Sequence, residues 1–178
     1  MTHVALLRAV NLGAHGKVAM ADLRTLLEGL GFAGVRTLLN SGNVVFDAGS
    51  TASGALETQI ERAAAKELGL KTDFLVRSAE EWQALMKANP FAAEASDDAA
   101  HLVVLACKEA PKAAAVTALA AAIAGRERIA ARGAQVYAVY PDGIGRSKLT
   151  TALIEKHLGT RVSGRNWNTV QKISDLLG

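Results

Sequence analysis

The chain has little of what marks the specialised protein classes. Of its 178 residues only Cys107 is a cysteine, so an internal disulfide or a multi-thiolate metal site is excluded and a reducing cytoplasm is the expected location. No apolar run reaches the roughly 20 residues that cross a bilayer. The most apolar stretch, 113–124, reads as an Ala-rich helix of a soluble protein, and no membrane partner is expected. The chain opens Met1-Thr2-His3-Val4, without a basic leader or an apolar targeting segment. His3, His15, His101 and His157 form neither an i, i+4 pair nor an HExxH motif, so no metal site is expected. No catalytic triad can be assembled by spacing, no cofactor is implied, and the carboxylates read as solvated on helix faces.

Half of the residues are hydrophobic and 21% are charged, the balance of an ordinary globular protein with a real core. The net charge of +3 is unevenly spread: residues 1–100 carry 9 basic and 12 acidic side chains, and 101–178 carry 11 and 5. An anionic partner for the second half is one reading, and plain solubility is the other.

Periodicity supplies the architecture. A strand is expected at 3–9. A helix follows with Leu23, Leu26, Leu27 and Leu30 at i, i+3, i+4 and i+7, ended by Gly31. Strands at 35–39 and 44–46 flank Asn40-Ser41-Gly42-Asn43, residues that tolerate the positive φ of a tight turn. A helix with Leu56, Ile60, Ala64 and Leu68 on one side ends at Gly69, and a strand at 72–76 comes next. Ser78 and Glu81 form a capping box for a short helix that Asn89-Pro90 stops. Residues 89–100 lack periodicity and suit a connection between domains, which are placed at 1–92 and 93–178, closely associated. The same order returns: a strand at 101–107, a helix opened by Pro111, strands at 128–132 and 135–140 joined by Gly133-Ala134, a helix at 147–158 closed by Gly159, a short strand at 160–163, and a last helix at 167–177. The expected fold is therefore α+β, two tandem ferredoxin-like βαββαβ units, each followed by an extra helix, with helices covering antiparallel sheets.

That topology places candidate residues. In the first unit the loop after strand one and the hairpin share one end of the sheet, gathering Asn11, Gly13 and Lys17 with Ser41 and Asn43. In the second unit the 141–147 loop lies opposite the 133–134 hairpin. The loop Asn11-Leu12-Gly13-Ala14-His15-Gly16-Lys17 sits where a phosphate cradle belongs. It is not a Walker A motif: Asn11 replaces the first glycine and Val18 replaces the Mg²⁺-binding hydroxyl. Gly143-Ile144-Gly145-Arg146-Ser147-Lys148 combines two glycines, a helix-capping serine and two cations. Basic side chains in a first helical turn call for an answering anion. Arg165-Asn166-Trp167-Asn168 opens the last helix, with an asparagine to cap it and an indole either to stack or to pack. Aromatics are missing from strands 3–9 and 101–107, and Tyr137 and Tyr140 face opposite sides. The stacking platform of an RNA-recognition module is thus absent.

Four stretches together resemble a mainly bacterial family, domain-of-unknown-function family 1697. They are Leu7 to Gly13 with Lys17 and Met20; Ser41-Gly42-Asn43-Val44-Val45-Phe46; Gly143 to Thr150; and Arg165 to Val170. Ala9 and Ala14 stand where the family usually has glycine, and Asn40 where it usually has glutamine. The resemblance implies the two-part ferredoxin-like fold and carries no activity with it. Its motifs coincide with the polar loops chosen on chemistry.

The leading expectation is a binding protein for an anionic, phosphate-bearing small ligand or nucleotide in a composite cleft of Gly145, Arg146, Ser147, Lys148, Arg165, Asn166, Trp167, Asn168, Asn11, Gly13, Lys17, Ser41 and Asn43. One alternative is an enzyme acting on a phosphorylated small molecule, with Lys17 and the 40–43 hairpin lining the same cleft. Others are nonspecific nucleic-acid binding by the basic second half, and a protein-interaction module in which the glycines and asparagines only shape turns.

Overall fold

The computed structural model describes residues 1–8, 18–39 and 42–178. Strands β1 (Thr2–Leu7), β2 (Ala33–Leu38), β3 (Asn43–Asp47) and β4 (Phe74–Ser78) form one antiparallel sheet in the order β2-β3-β1-β4. Helix α1 (Met20–Gly29) connects β1 to β2, and α2 (Ser53–Glu67) connects β3 to β4. Helices α3 (Ala79–Lys87) and α4 (Ala92–Asp97) lead to a second sheet of β5 (Leu102–Cys107), β6 (Arg128–Arg132), β7 (Gln135–Val139) and β8 (Val162–Asn166), ordered β6-β7-β5-β8. Helices α5 (Ala113–Ala121) and α6 (Thr151–Leu158) cross over in this half, and α7 (Trp167–Leu177) follows β8. The two strand orders match, so the chain is a tandem of ferredoxin-like units, as its periodicity implies. The compact units comprise Met1–Gln83 with Ile173–Gly178, and Ala84–Lys172.

In the first unit the leucines of α1 and the Leu56, Ile60, Ala64 stripe of α2 pack on Ala5, Leu7, Val44, Phe46, Phe74 and Val76. In the second, Leu119, Ile154 and Leu158 pack on Val103, Leu105, Cys107, Val136, Ala138 and Tyr140. The opposite faces are buried too, with Val4, Leu6, Val45 and Leu75 in one sheet and Leu102, Val104, Ala106 and Tyr137 in the other. Such strands read as continuous apolar runs rather than as alternations.

Several boundaries differ from the sequence expectation, each for a local reason. The aperiodic 89–100 segment contains α4 and a 3-10 turn, Ala99–His101, because alanine needs no amphipathic stripe to be helical. The fourth strands begin two residues later than periodicity suggests, at Phe74 and Val162. In the first hairpin the described left-handed residues are Leu39 and Gly42, while Asn43 already belongs to β3. Gly42 has φ +77 and packs so closely on β1 that a Cβ there would lie 2.5 Å from the Leu7 Cβ. Gly42→Ala should therefore cost about 2 kcal/mol or more, read as a lower urea midpoint at unchanged slope.

Three of the carboxylates expected to be solvated, Glu57, Glu61 and Glu155, instead guard sheet edges. The outward amides of Phe74 and Val76 on β4 donate to Glu61 Oε1 and Glu57 Oε1, each at 2.9 Å. Glu57 and Glu61 stand one helical turn apart on α2, and Phe74 and Val76 two residues apart on the strand, so the spacings match. Glu155 on α6 accepts from Val162 N at 3.0 Å in the second unit. The neighbouring carbonyls are met by arginines: Arg77 Nη1 donates to Val76 O at 2.8 Å, and Arg165 Nη1 to Gly164 O at 2.7 Å. On the other edge of the second sheet Arg132 Nη1 donates to Ala131 O at 2.8 Å. Unpaired edges template association with other chains, and these side chains occupy the groups that would do so.

The capping box at α3 is present as read, with Glu81 N donating to Ser78 Oγ at 3.1 Å and Ser78 N to Glu81 Oε2 at 2.7 Å. Burial pushes the Glu81 carboxyl up, but hydrogen bonds from Ser53 and Ser78, with Arg77 and His3 nearby, outweigh it and hold the group below its usual value. A depressed carboxylate stabilises the fold above its unfolded value, and that contribution is lost as pH falls through the folded one. Thermal denaturation of wild type and Glu81→Gln should therefore differ near neutrality and converge as the pH falls below the usual carboxylate range.

Candidate functional site

The strand register of the second unit defines the site. Leu102 pairs with Val139 and Val103 with Asn166, so the start of β5, the end of β7 and the end of β8 share one sheet end. The loop after β7 and the first residues of α7 therefore meet there. The 133–134 hairpin lies at the other end, where Gln135 pairs with Ala106. Tyr140 and Gly143 close a four-residue turn, Gly143 N donating to Tyr140 O at 3.0 Å, and Gly143 has φ +87. This is the Pro141-Asp142-Gly143 turn that the sequence suggests.

The loop that follows is longer than expected. Helix α6 begins at Thr151, capped by Thr150, whose Oγ1 accepts from Leu153 N at 3.2 Å. Ser147 is not the cap: its Oγ donates to Glu127 Oε1 and accepts from Leu149 N at 3.0 Å, folding the chain into a turn before the helix starts. Arg146 and Lys148 thus lie ahead of the helix rather than in its first turn, so the helix dipole does not call for an anion at their side chains.

What remains is a matter of charge. Arg146 and Lys148 are exposed and, among the described residues, have no side-chain hydrogen bond or ion pair. The carboxylates around them are occupied. Asp142 takes Arg126 in a two-pronged pair whose Nε–Oδ2 arm is 3.0 Å. Glu127 takes Ser147 of the loop itself, and elsewhere in the unit Glu94 takes Arg128 and Asp98 takes His101 at 2.9 Å. The hydrogen bond from Arg126 holds the Asp142 carboxyl below the usual carboxylate range, and that from Arg128 does the same for Glu94. The loop therefore presents two uncompensated cations.

The other expected residues fall into distinct roles. Gly145 is exposed, and a Cβ built on it would meet nothing within 4 Å, so Gly145→Ala should leave stability within about 0.5 kcal/mol. Asn166 caps α7, its Oδ1 accepting from Thr169 N at 3.0 Å, while Asn168 is exposed. Trp167 is buried, 6% exposed. Arg165 is buried as well, its Nη1 also donating to Ser163 Oγ at 2.9 Å, and burial pulls its guanidinium down to about 10. Asn43, in the first unit, is fully buried and donates from Nδ2 to Leu38 O at 2.9 Å. Asn11, Gly13, Lys17 and Ser41 lie outside the described residues. Burial pushes both Tyr137 and Tyr140 up to about 12. Their hydroxyls donate to Leu85 O and Leu149 O, so neither ring is a stacking surface.

A separate groove of about 390 Å³ runs along α2 in the first unit, lined by Leu30, Thr58, Gln59, Arg62 and Lys66. It contains none of the expected site residues. Among the described residues, no three His, Cys, Asp or Glu side chains gather to hold a metal, and no helix is long and apolar enough to cross a membrane.

Two ferredoxin-like units in tandem, each with an added helix, define the architectural class. The chain belongs to the family described as "Protein of unknown function (DUF1697)", whose model matches residues 1–137. Among solved structures it is similar to the conserved bacterial protein SP0830 from Streptococcus pneumoniae, with 23% identity, TM-score 0.75, and coverage of 99% of this chain and 98% of that one. At this identity the likeness concerns the fold. No curated protein matches the chain.

Proposed function

We propose that the protein binds an anionic, phosphate-bearing small ligand at this end of the second sheet, with Arg146 and Lys148 as the principal contacts. One observation carries the reading: two adjacent loop cations stand without partners where every neighbouring carboxylate named above is already occupied. Arg supplies a bidentate fork for phosphate oxygens and Lys a compact charge. Exposed Asn168, at the start of α7, adds an amide donor at the same sheet end, and the open space over Gly145 allows close approach to the backbone.

Three of the other cations of this half are taken out of any extended basic track, which favours a compact site. Arg126 and Arg128 are neutralised by Asp142 and Glu94, and Arg165 is buried. Calorimetric titration with inorganic pyrophosphate and with a nucleoside triphosphate tests the reading. The Arg146→Ala/Lys148→Ala variant should bind about 100-fold more weakly, roughly tenfold per lost charge-assisted contact, with its melting temperature unchanged. An unaltered titration would remove the assignment. Binding seen only with DNA or RNA, and collapsing steeply with salt, would replace it with a nucleic-acid surface.

A further inference from the structure

Resting on the anion site just described, we propose that His101 is a third contact of that site, binding an oxyanion through Nε2 only when the imidazole is protonated. His101 ends the 3-10 turn that leads into β5. Its ring is held on one side by Asp98, whose Oδ2 lies 2.9 Å from Nδ1. An ionised carboxylate can only accept, so Nδ1 carries a hydrogen. Two backbone bonds fix the residue itself: His101 N donates to Asp98 O at 3.0 Å, and Tyr140 N donates to His101 O at 2.9 Å. The second of these ties His101 to the residue from which the 141–148 loop departs.

The other ring nitrogen faces that loop. A Cβ placed on Gly143 would stand 3.8 Å from Nε2, so the ring edge lies beside Gly143, three residues before Arg146 in the chain. Among the described residues Nε2 has no hydrogen-bond partner, and the side chain is 40% exposed. The ring is fixed at one nitrogen and open at the other, beside the loop that carries the two unanswered cations.

Its two protonation states act oppositely. Neutral, with the hydrogen on Nδ1, Nε2 presents a lone pair that repels an anion's oxygen. Protonated, Nε2 becomes a charge-assisted donor and Asp98 balances the ring from behind. Among the described residues, few charged groups lie on the elements beside it. Asp98 sits on its own turn. The loop brings Asp142, bridged to Arg126, together with Arg146 and Lys148, and Glu127 is engaged by Ser147. From β8, the Arg165 guanidinium turns to Ser163 and the Gly164 carbonyl. Asp98 is thus a positioning residue, and His101 a binding residue absent from the sequence-based site.

Sulfate is the decisive probe, because its charge is constant across the range in which histidines titrate. Wild-type protein at fixed ionic strength should bind sulfate about threefold to tenfold more tightly at about pH 5.5 than at about pH 8. His101→Gln should flatten that profile at the weak level, and His101→Lys should flatten it at the tight one. Asp98→Ala, which frees the ring to rotate, should remove most of the gain in binding at about pH 5.5 and leave binding at about pH 8 unchanged, an effect that a merely structural aspartate would not produce. Melting temperatures of the variants establish that each is folded. If His101→Gln keeps the wild-type profile while Arg146→Ala/Lys148→Ala loses binding, the inference is overturned and the anion site stands. If wild type binds no sulfate or phosphate at any pH, both fall.

Discussion

Replacing Trp167 with alanine is expected to lower the unfolding free energy by about 3–5 kcal/mol. The indole opens α7 and is only 6% exposed, so its removal strips a large apolar surface and leaves a cavity that the rigid sheet end cannot readily fill. Domains are stable by only about 5–15 kcal/mol, so the variant should be partly unfolded at growth temperature and show a much reduced urea midpoint. Trp167→Phe should recover a good part of the loss. The same pair of variants separates packing from recognition. Ligand affinity that falls while stability is unchanged would move the indole into the site, whereas the expected loss of stability leaves it a packing residue.

Glu57→Ala is the second large effect, expected to cost about 3–5 kcal/mol. Glu57 is buried, accepts from Val76 N at 2.9 Å and lies 3.6 Å from Arg77 Nη1. Truncation strips a buried amide of its acceptor and a buried guanidinium of a counter-charge, two penalties that add. Glu57→Gln retains an acceptor oxygen and should cost clearly less, and Arg77→Met in the Glu57→Ala background should restore part of the stability. A double-mutant cycle in urea measures that coupling. If Glu57→Ala were as stable as wild type, the carboxylate guard on β4 would have no energetic role.

The contrast between what could and could not be read from the chain follows from how each feature is encoded. Strand order and helix faces were legible because Leu23, Leu26 and Leu27, or Leu56, Ile60 and Ala64, repeat at the helical period, and because Gly31, Gly69 and Gly159 stop their helices through a backbone geometry that favours glycine. The capping box at Ser78 and Glu81 was legible for the same reason: both partners lie within one turn. Long-range polar contacts were not. Nothing near Glu57 in sequence announces Val76 N, and Glu127 is twenty residues from the Ser147 hydroxyl that it engages. Ser147 is engaged by that contact, and Thr150, another N-capping residue type, caps the helix instead. At the site, Arg146 and Lys148 were visible as cations, but their lack of partners depends on which arginines take Asp142 and Glu94. His101 was passed over because it has no histidine at ligand spacing. The signal that could have found it is Asp98 three residues earlier, just ahead of the strand.

The allotment of residues 173–178 to the first unit bears on how the protein is made. The ribosome releases this segment only after all of the second unit has been synthesised. It holds Leu176, whose carbonyl receives Arg36 Nη2 at 2.7 Å, and Ser174, whose hydroxyl receives Gln83 Nε2 at 2.9 Å. The half translated first is therefore completed last. A nascent chain stalled before Ile173 would carry a first unit that lacks its closing segment, with β2 and α3 short of these partners. Completion of the first unit therefore waits on contacts of very long sequence separation, which are slow to form.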